Sequence, residues 1–193
     1  MAEDGPRQPN GERYDFVSLC LAETTELEQV LRRGIQPDMA TLAGWEFRGY
    51  TLTQLSTVAG IAKFKKGFFK EDPGRDPALG IAGYNVACHP NTLGEPWIEK
   101  TKKGEPIHHG YFDVYPVSLT DADNRYPNAL LFNYGTSPKN LGIDPERILR
   151  DYVVQVYEGQ PDLLVGKAYF AFGKVRIFMS FFVLERHNEA ARR

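Results

Sequence analysis

The chain is poor in several features, and each shortage removes a class of function. Two cysteines in 193 residues, Cys20 and Cys88, are too few for a disulfide framework. No run of about 18 apolar residues occurs, so no transmembrane segment is expected. Net charge is −2. Without a basic excess, neither nucleic acid nor an anionic membrane is indicated as a partner. A Gly-rich phosphate loop is absent, which leaves nucleotide chemistry without support. Of the four histidines none forms His-x-His, and no Cys-x-x-Cys occurs. The expectation is therefore no metal centre and no cofactor. The first 20 residues are acidic and polar instead of basic and then apolar, so the chain reads as cytoplasmic with free thiols.

Aromatic residues are abundant: ten Tyr and twelve Phe, within an aromatic share of 12%. They concentrate in short runs with β-branched neighbours, the composition of strands. The runs are 45–52, 61–70, 79–88, 97–102, 107–117, 129–134, 152–157, 163–172 and 175–185. Turn clusters separate them, among them Glu71-Asp-Pro-Gly74, His89-Pro-Asn91 and Lys103-Gly-Glu-Pro106. The last two runs flank Gly173-Lys174, a two-residue hairpin signal. That turn should put Phe170 or Phe172 on one sheet face with Phe178. The pattern predicts an all-β fold, an antiparallel up-and-down barrel of 8–10 strands. Two helices are marked. One lies near 24–33, with a Thr25–Glu28 capping box and a Leu27, Val30, Leu31 stripe. A short internal one follows Asp144-Pro145. Residues 1–13 read as a disordered tail and 14–193 as a single domain.

The strand 175–185 is apolar on both faces, so each must be covered. The 24–33 helix is the first candidate for the outer cover, and a second copy of the chain, as a homodimer, is the second. Other strands carry polar residues where a core would want Val or Leu. On regular alternation, His109, Tyr111, Asp113 and Tyr115 share one face. One reading sends these polar groups to water. The other aims some into a cavity, where Tyr84, Tyr111, Asn133, Tyr134, Gln155 and Tyr169 would bind a ligand's polar end.

These features together resemble the calycin superfamily, the lipocalin-like barrels. Gly44-Trp45 opens the first barrel strand after a helical lead-in, and Arg186 closes the last in Leu184-Glu185-Arg186. More narrowly, Ala40–Gly49 and Leu164–Arg186 look like bacterial lipocalin-like proteins of the GXWXG kind. Here Gly44 and Trp45 are adjacent, and Gly49 follows the Trp by four residues. The resemblance implies that Trp45 packs against Arg186 at the base of the barrel. It also implies an interior that holds a small hydrophobic molecule.

The expected function is binding of a hydrophobic or amphipathic ligand resembling a fatty acid, terpenoid or polyketide. The alternative is a cofactor-independent isomerase or cyclase, with acid–base catalysis by His109, Asp113 and Tyr111 inside the barrel. A haem-binding barrel, with His108 or His109 as axial ligand, is a minor alternative that the resemblance suggests. Cys88-His89 is not read as a nucleophile and base, because adjacent residues rarely orient that way.

Overall fold

From Trp45 onward the strand-forming runs pair in chain order, and the last pairs back onto the first. The computed structural model describes residues 5–52, 62–71 and 80–190. Eight strands form one closed antiparallel barrel: β1 Trp45–Leu52, β2 Lys63–Lys70, β3 Ile81–Ala87, β6 His108–Pro116, β7 Leu130–Asn133, β8 Leu149–Tyr157, β9 Gln160–Phe172 and β10 Val175–Glu189. Two short strands, β4 Thr101–Lys102 and β5 Glu105–Pro106, make a separate ribbon. Closure leaves no barrel edge to pair with another chain. The expected strand ends at Ile61 and Leu79 and the turn at 72–74 lie outside the described residues.

The expected strand at 97–102 is not in the barrel. Glu99 makes an isolated bridge to Cys88, and the chain then turns through Lys103 and Gly104, both at positive φ. Pro90 and Pro96 lack the N–H that a ladder needs, which takes this segment off the sheet. Trp97 packs on the outside instead, 5.7 Å from the Phe16 ring, with its indole N–H donating to the Gly49 carbonyl.

Among the described residues three α-helices precede or cover the barrel: α1 Phe16–Leu21, α2 Thr24–Arg33 and α3 Met39–Leu42. Helix α2 has its expected bounds, although its capping box is formed by Glu23 and Glu26. Leu27, Val30 and Leu31 are buried in an outer cluster with Tyr152, Val154, Val165 and Tyr169. Phe16, Leu19 and Cys20 of α1 join the same cluster with Phe181 and Val183 of β10. Most of the outer apolar face of β8–β10 is thus covered within the chain, with α1 on β10 in place of the expected α2, which lies on β8 and β9, while Phe178 near the hairpin stays 45% exposed. Helices α1 and α3 are too short for periodicity to announce them. Upstream, Tyr157 donates to the Pro6 carbonyl and accepts from the Tyr14 amide, so residues of the expected tail lie against β8.

The inner face holds a second cluster. Phe47, Phe68, Phe112 and Phe132 fill the lower half of the barrel, with ring centroids 4.8–5.8 Å apart in the contacting pairs. Leu42 of α3 packs into this cluster from below. Beside it the Arg186 guanidinium lies 4.6 Å from the Trp45 ring centroid and 5.3 Å from that of Phe47. It also donates to the Thr41 carbonyl at 2.9 Å, tying β10 to α3.

Of the barrel's register shifts, those in β6 and β10 reset which side chains line its upper interior. In β6 the shift lies opposite Gly83–Asn85, and Gly110 there has φ +51°. His109 and Phe112 consequently both face the interior, while Tyr111 and Asp113 face out. The common face expected for His109, Tyr111 and Asp113 is broken by this bulge. In β10 the shift lies between Phe178 and Ser180. Phe178 pairs with Tyr169, at a centroid distance of 6.2 Å, while Phe170 pairs with Ile177. The hairpin turn is at Gly173-Lys174, as expected, but Phe178 shares a face with neither Phe170 nor Phe172.

Candidate functional site

Above the phenylalanine layer the barrel is not filled. A cavity of about 670 Å³ occupies its upper half and opens at the end where the β9–β10 hairpin turns. Its walls are mainly apolar: Phe64, Leu149, Ala168, Phe170, Met179 and Phe182. Its polar groups come from six strands, β1, β2, β3, β6, β8 and β10, and from Lys100, Tyr134 and Glu146 between strands.

The floor is a buried polar cluster. On β2, Phe64, Lys66 and Phe68 alternate on the inner face, so Lys66 is carried inward between two aromatic residues. It is 3% exposed. Its ammonium lies 2.8 Å from Asn85 Oδ1, 2.5 Å from Tyr134 Oη and 3.1 Å from Asp151 Oδ2. Tyr134 in turn donates to Asp151 Oδ2 at 2.8 Å. Burial lowers the Lys66 pKa, with the Asp151 charge acting in the opposite direction. Burial, reinforced by Asp151, holds the Tyr134 phenol well above its ordinary range. At neutral pH Tyr134 is thus a protonated hydrogen-bond donor. The ammonium is also surrounded by ring faces, with the Phe112 centroid 4.8 Å and the Phe182 centroid 5.3 Å away.

Nearer the mouth, His109 Nδ1 lies 2.8 Å from Glu146 Oε1. Against a carboxylate the neutral ring carries its proton on Nδ1, which leaves Nε2 as an acceptor. Glu146 is set by a single 3-10 turn, Pro145–Ile148, whose N-cap Asp144 accepts from the Glu146 amide at 2.9 Å. Lys63 and Lys100 also line the upper cavity. Lys63 is engaged already, donating to the Glu95 carbonyl with its ammonium 3.9 Å from the Trp97 ring centroid. Cys88 lines the wall as well, and burial pushes its thiol up to about 11, so it stays protonated at neutral pH. That leaves it a poor nucleophile.

The residues expected to bind ligand are scattered by this arrangement. Tyr134 lines the cavity. Tyr84 is on the outer face, stacked on His108 at 4.1 Å and donating to Glu46. Tyr111 is outside too, its backbone held at both ends by Asn140. Asn133 accepts from the Gly135 amide in the turn after β7. Gln155 donates to the Tyr157 carbonyl, far down β8. Tyr169 lies on the outer face beside Tyr126, 3.1 Å between hydroxyls. Of the acid–base set, His109 reaches the cavity, but Asp113 is fully buried elsewhere and does not line it.

Lys66, Asn85, Glu146 and Asp151 were missed. For Lys66 a signal existed, since it sits two residues from Phe64 and two from Phe68. Asp151 fell just outside a strand read as beginning at Tyr152. Glu146 sits outside any strand, and only folding brings it to His109.

Among the described residues no group of three or more His, Cys, Asp or Glu side chains is placed to hold a metal ion. No helix among them is long and apolar enough to cross a membrane. No family model, curated protein or solved structure matches the chain. The closed eight-stranded barrel is compatible with the lipocalin-like layout.

Proposed function

We propose that the protein binds a small hydrophobic or amphipathic molecule inside the barrel, as a lipocalin-like carrier would. The observation that carries this reading is the 670 Å³ cavity above a closed aromatic base. Its volume lies within the range of about 300–1,000 Å³ usual for small-molecule sites. Apolar walls supply burial energy, and a few convergent polar groups at one end fix orientation, the usual division of labour in such pockets. The fatty-acid-, terpenoid- and polyketide-like molecules expected from the sequence all suit this combination.

Native mass spectrometry of the purified protein, before and after organic extraction, tests the reading. A copurified small molecule, or displacement of a lipophilic fluorescent probe by such molecules, is the expected result. Ala168→Trp should abolish binding by filling the cavity from its wall, since Ala168 lines it and is 5% exposed. If wild-type protein carries nothing and takes up no probe, the reading fails. An absorbance scan of the same sample tests the haem alternative.

A further inference from the structure

The cavity floor carries equal and opposite charge, and its ammonium has no donor to spare. We propose that this floor selects a ligand whose inner end is a neutral hydrogen-bonding group, a hydroxyl or a carbonyl, and discriminates against carboxylates. The proposal rests on the reading that the cavity binds a small amphipathic molecule, and names the class.

The donor count comes first. A lysine ammonium has three N–H donors. Those of Lys66 are directed to Asn85, Tyr134 and Asp151. An incoming carboxylate would find no free ammonium hydrogen. It would also lie beside Asp151, which already neutralises Lys66 within 3.1 Å. The floor with its ligand would then carry a net negative charge in a low-dielectric site, an arrangement that buried groups avoid. A neutral group adds no charge. Hydrogen-bonding capacity suited to such a group remains in the Asn85 amide nitrogen, whose bond to the Gly110 carbonyl is long at 3.4 Å.

Orientation is set by where the apolar surface lies. The hairpin side of the mouth presents Phe170 and Met179 to the cavity, and Phe172, Val175 and Ile177 are exposed beyond it. An alkyl tail directed outward meets these residues. A reversed ligand, with its head near Lys63 and Lys100, would press its tail onto the Lys66–Asp151 pair and strip polar groups of hydrogen-bonding capacity for no return.

The test compares decanol with decanoate, matched in chain length, by competition against a lipophilic fluorescent probe at about pH 8, where a free carboxylic acid is ionised. Wild-type protein should bind decanol at least about tenfold more tightly. Asp151→Asn keeps the shape, removes the anion and leaves Lys66 without its counter-charge. In that variant decanoate should become the preferred ligand. Circular dichroism checks that it folds, and the wild-type ratio decides the proposal if it does not. Equal or tighter binding of decanoate by wild-type protein overturns the proposal, as does an unchanged ratio in folded Asp151→Asn. If the probe binds, either result counts against the head-group selection alone. If neither ligand nor probe binds, the binding reading fails and takes this proposal with it.

Discussion

Gly166 and Phe182 are direct cross-strand partners on β9 and β10, and the Phe182 ring lies over the glycine so closely that a Cβ there would overlap it. The same pairing of glycine with a facing aromatic recurs at Gly49–Phe64 and Gly83–Phe112. The missing side chains let large rings lie flat against the inner wall of a narrow barrel, which is how cavity wall and aromatic base are both built. Gly166→Ala should destabilise the fold by about 1–3 kcal/mol through overpacking. Because Phe182 lines the cavity, the same change should also weaken probe binding. Chemical denaturation and probe titration check the two effects together.

Trp45 is half-buried against Arg186 at the closed end. Trp45→Ala should cost about 2–4 kcal/mol, near the lower part of the range for removing a large aromatic side chain. Arg186→Met should cost less, about 1–2 kcal/mol, by losing the cation–π contact and the bond to the Thr41 carbonyl. Urea midpoints at constant slope would rank them. Equal losses would show that the guanidinium matters as much as the indole packing.

Gly173 tests the hairpin separately from packing. Its φ is +57°, and nothing lies within 4 Å of where a Cβ would be. Any penalty for a side chain there is therefore conformational. Gly173→Val should lower stability by about 1–2 kcal/mol, while Gly173→Asn, which tolerates this region, should cost clearly less. Thermal melts of the pair make the comparison.

Asp123 links the β6–β7 loop to the outer face of the sheet. Burial alone would raise its pKa. The Arg176 bond at 2.5 Å, the Arg150 charge at 3.4 Å and the Tyr152 hydroxyl at 3.1 Å outweigh that and lower it. A carboxyl with a depressed folded pKa contributes stability above its unfolded value of about 3.9, and that stability is lost as pH falls through the folded value. Asp123→Asn should destabilise the protein by about 1–3 kcal/mol at neutral pH. It should also flatten the acid limb of the stability curve below about pH 4. Denaturation midpoints between neutral and acid pH measure both.

The sequence alone determined the kind of fold. Alternation, turn chemistry and the absence of long helical periodicity are local properties, and they specified antiparallel strands, the Gly173-Lys174 turn and helix α2. That β10 needs a cover was also foreseeable, because an all-apolar strand requires one, but α1 supplies it where α2 was expected. Which side chains enter the cavity was decided by tertiary structure. A bulge adds one residue to one strand, and a single extra residue exchanges the faces of everything beyond it. Gly110 thereby separates His109 from Tyr111 and Asp113. The Lys66–Asp151 pair likewise exists only in the closed barrel. It joins β2 to β8 across the interior, 85 residues apart in sequence, and only closure excludes the water that would make a lysine on its own unremarkable.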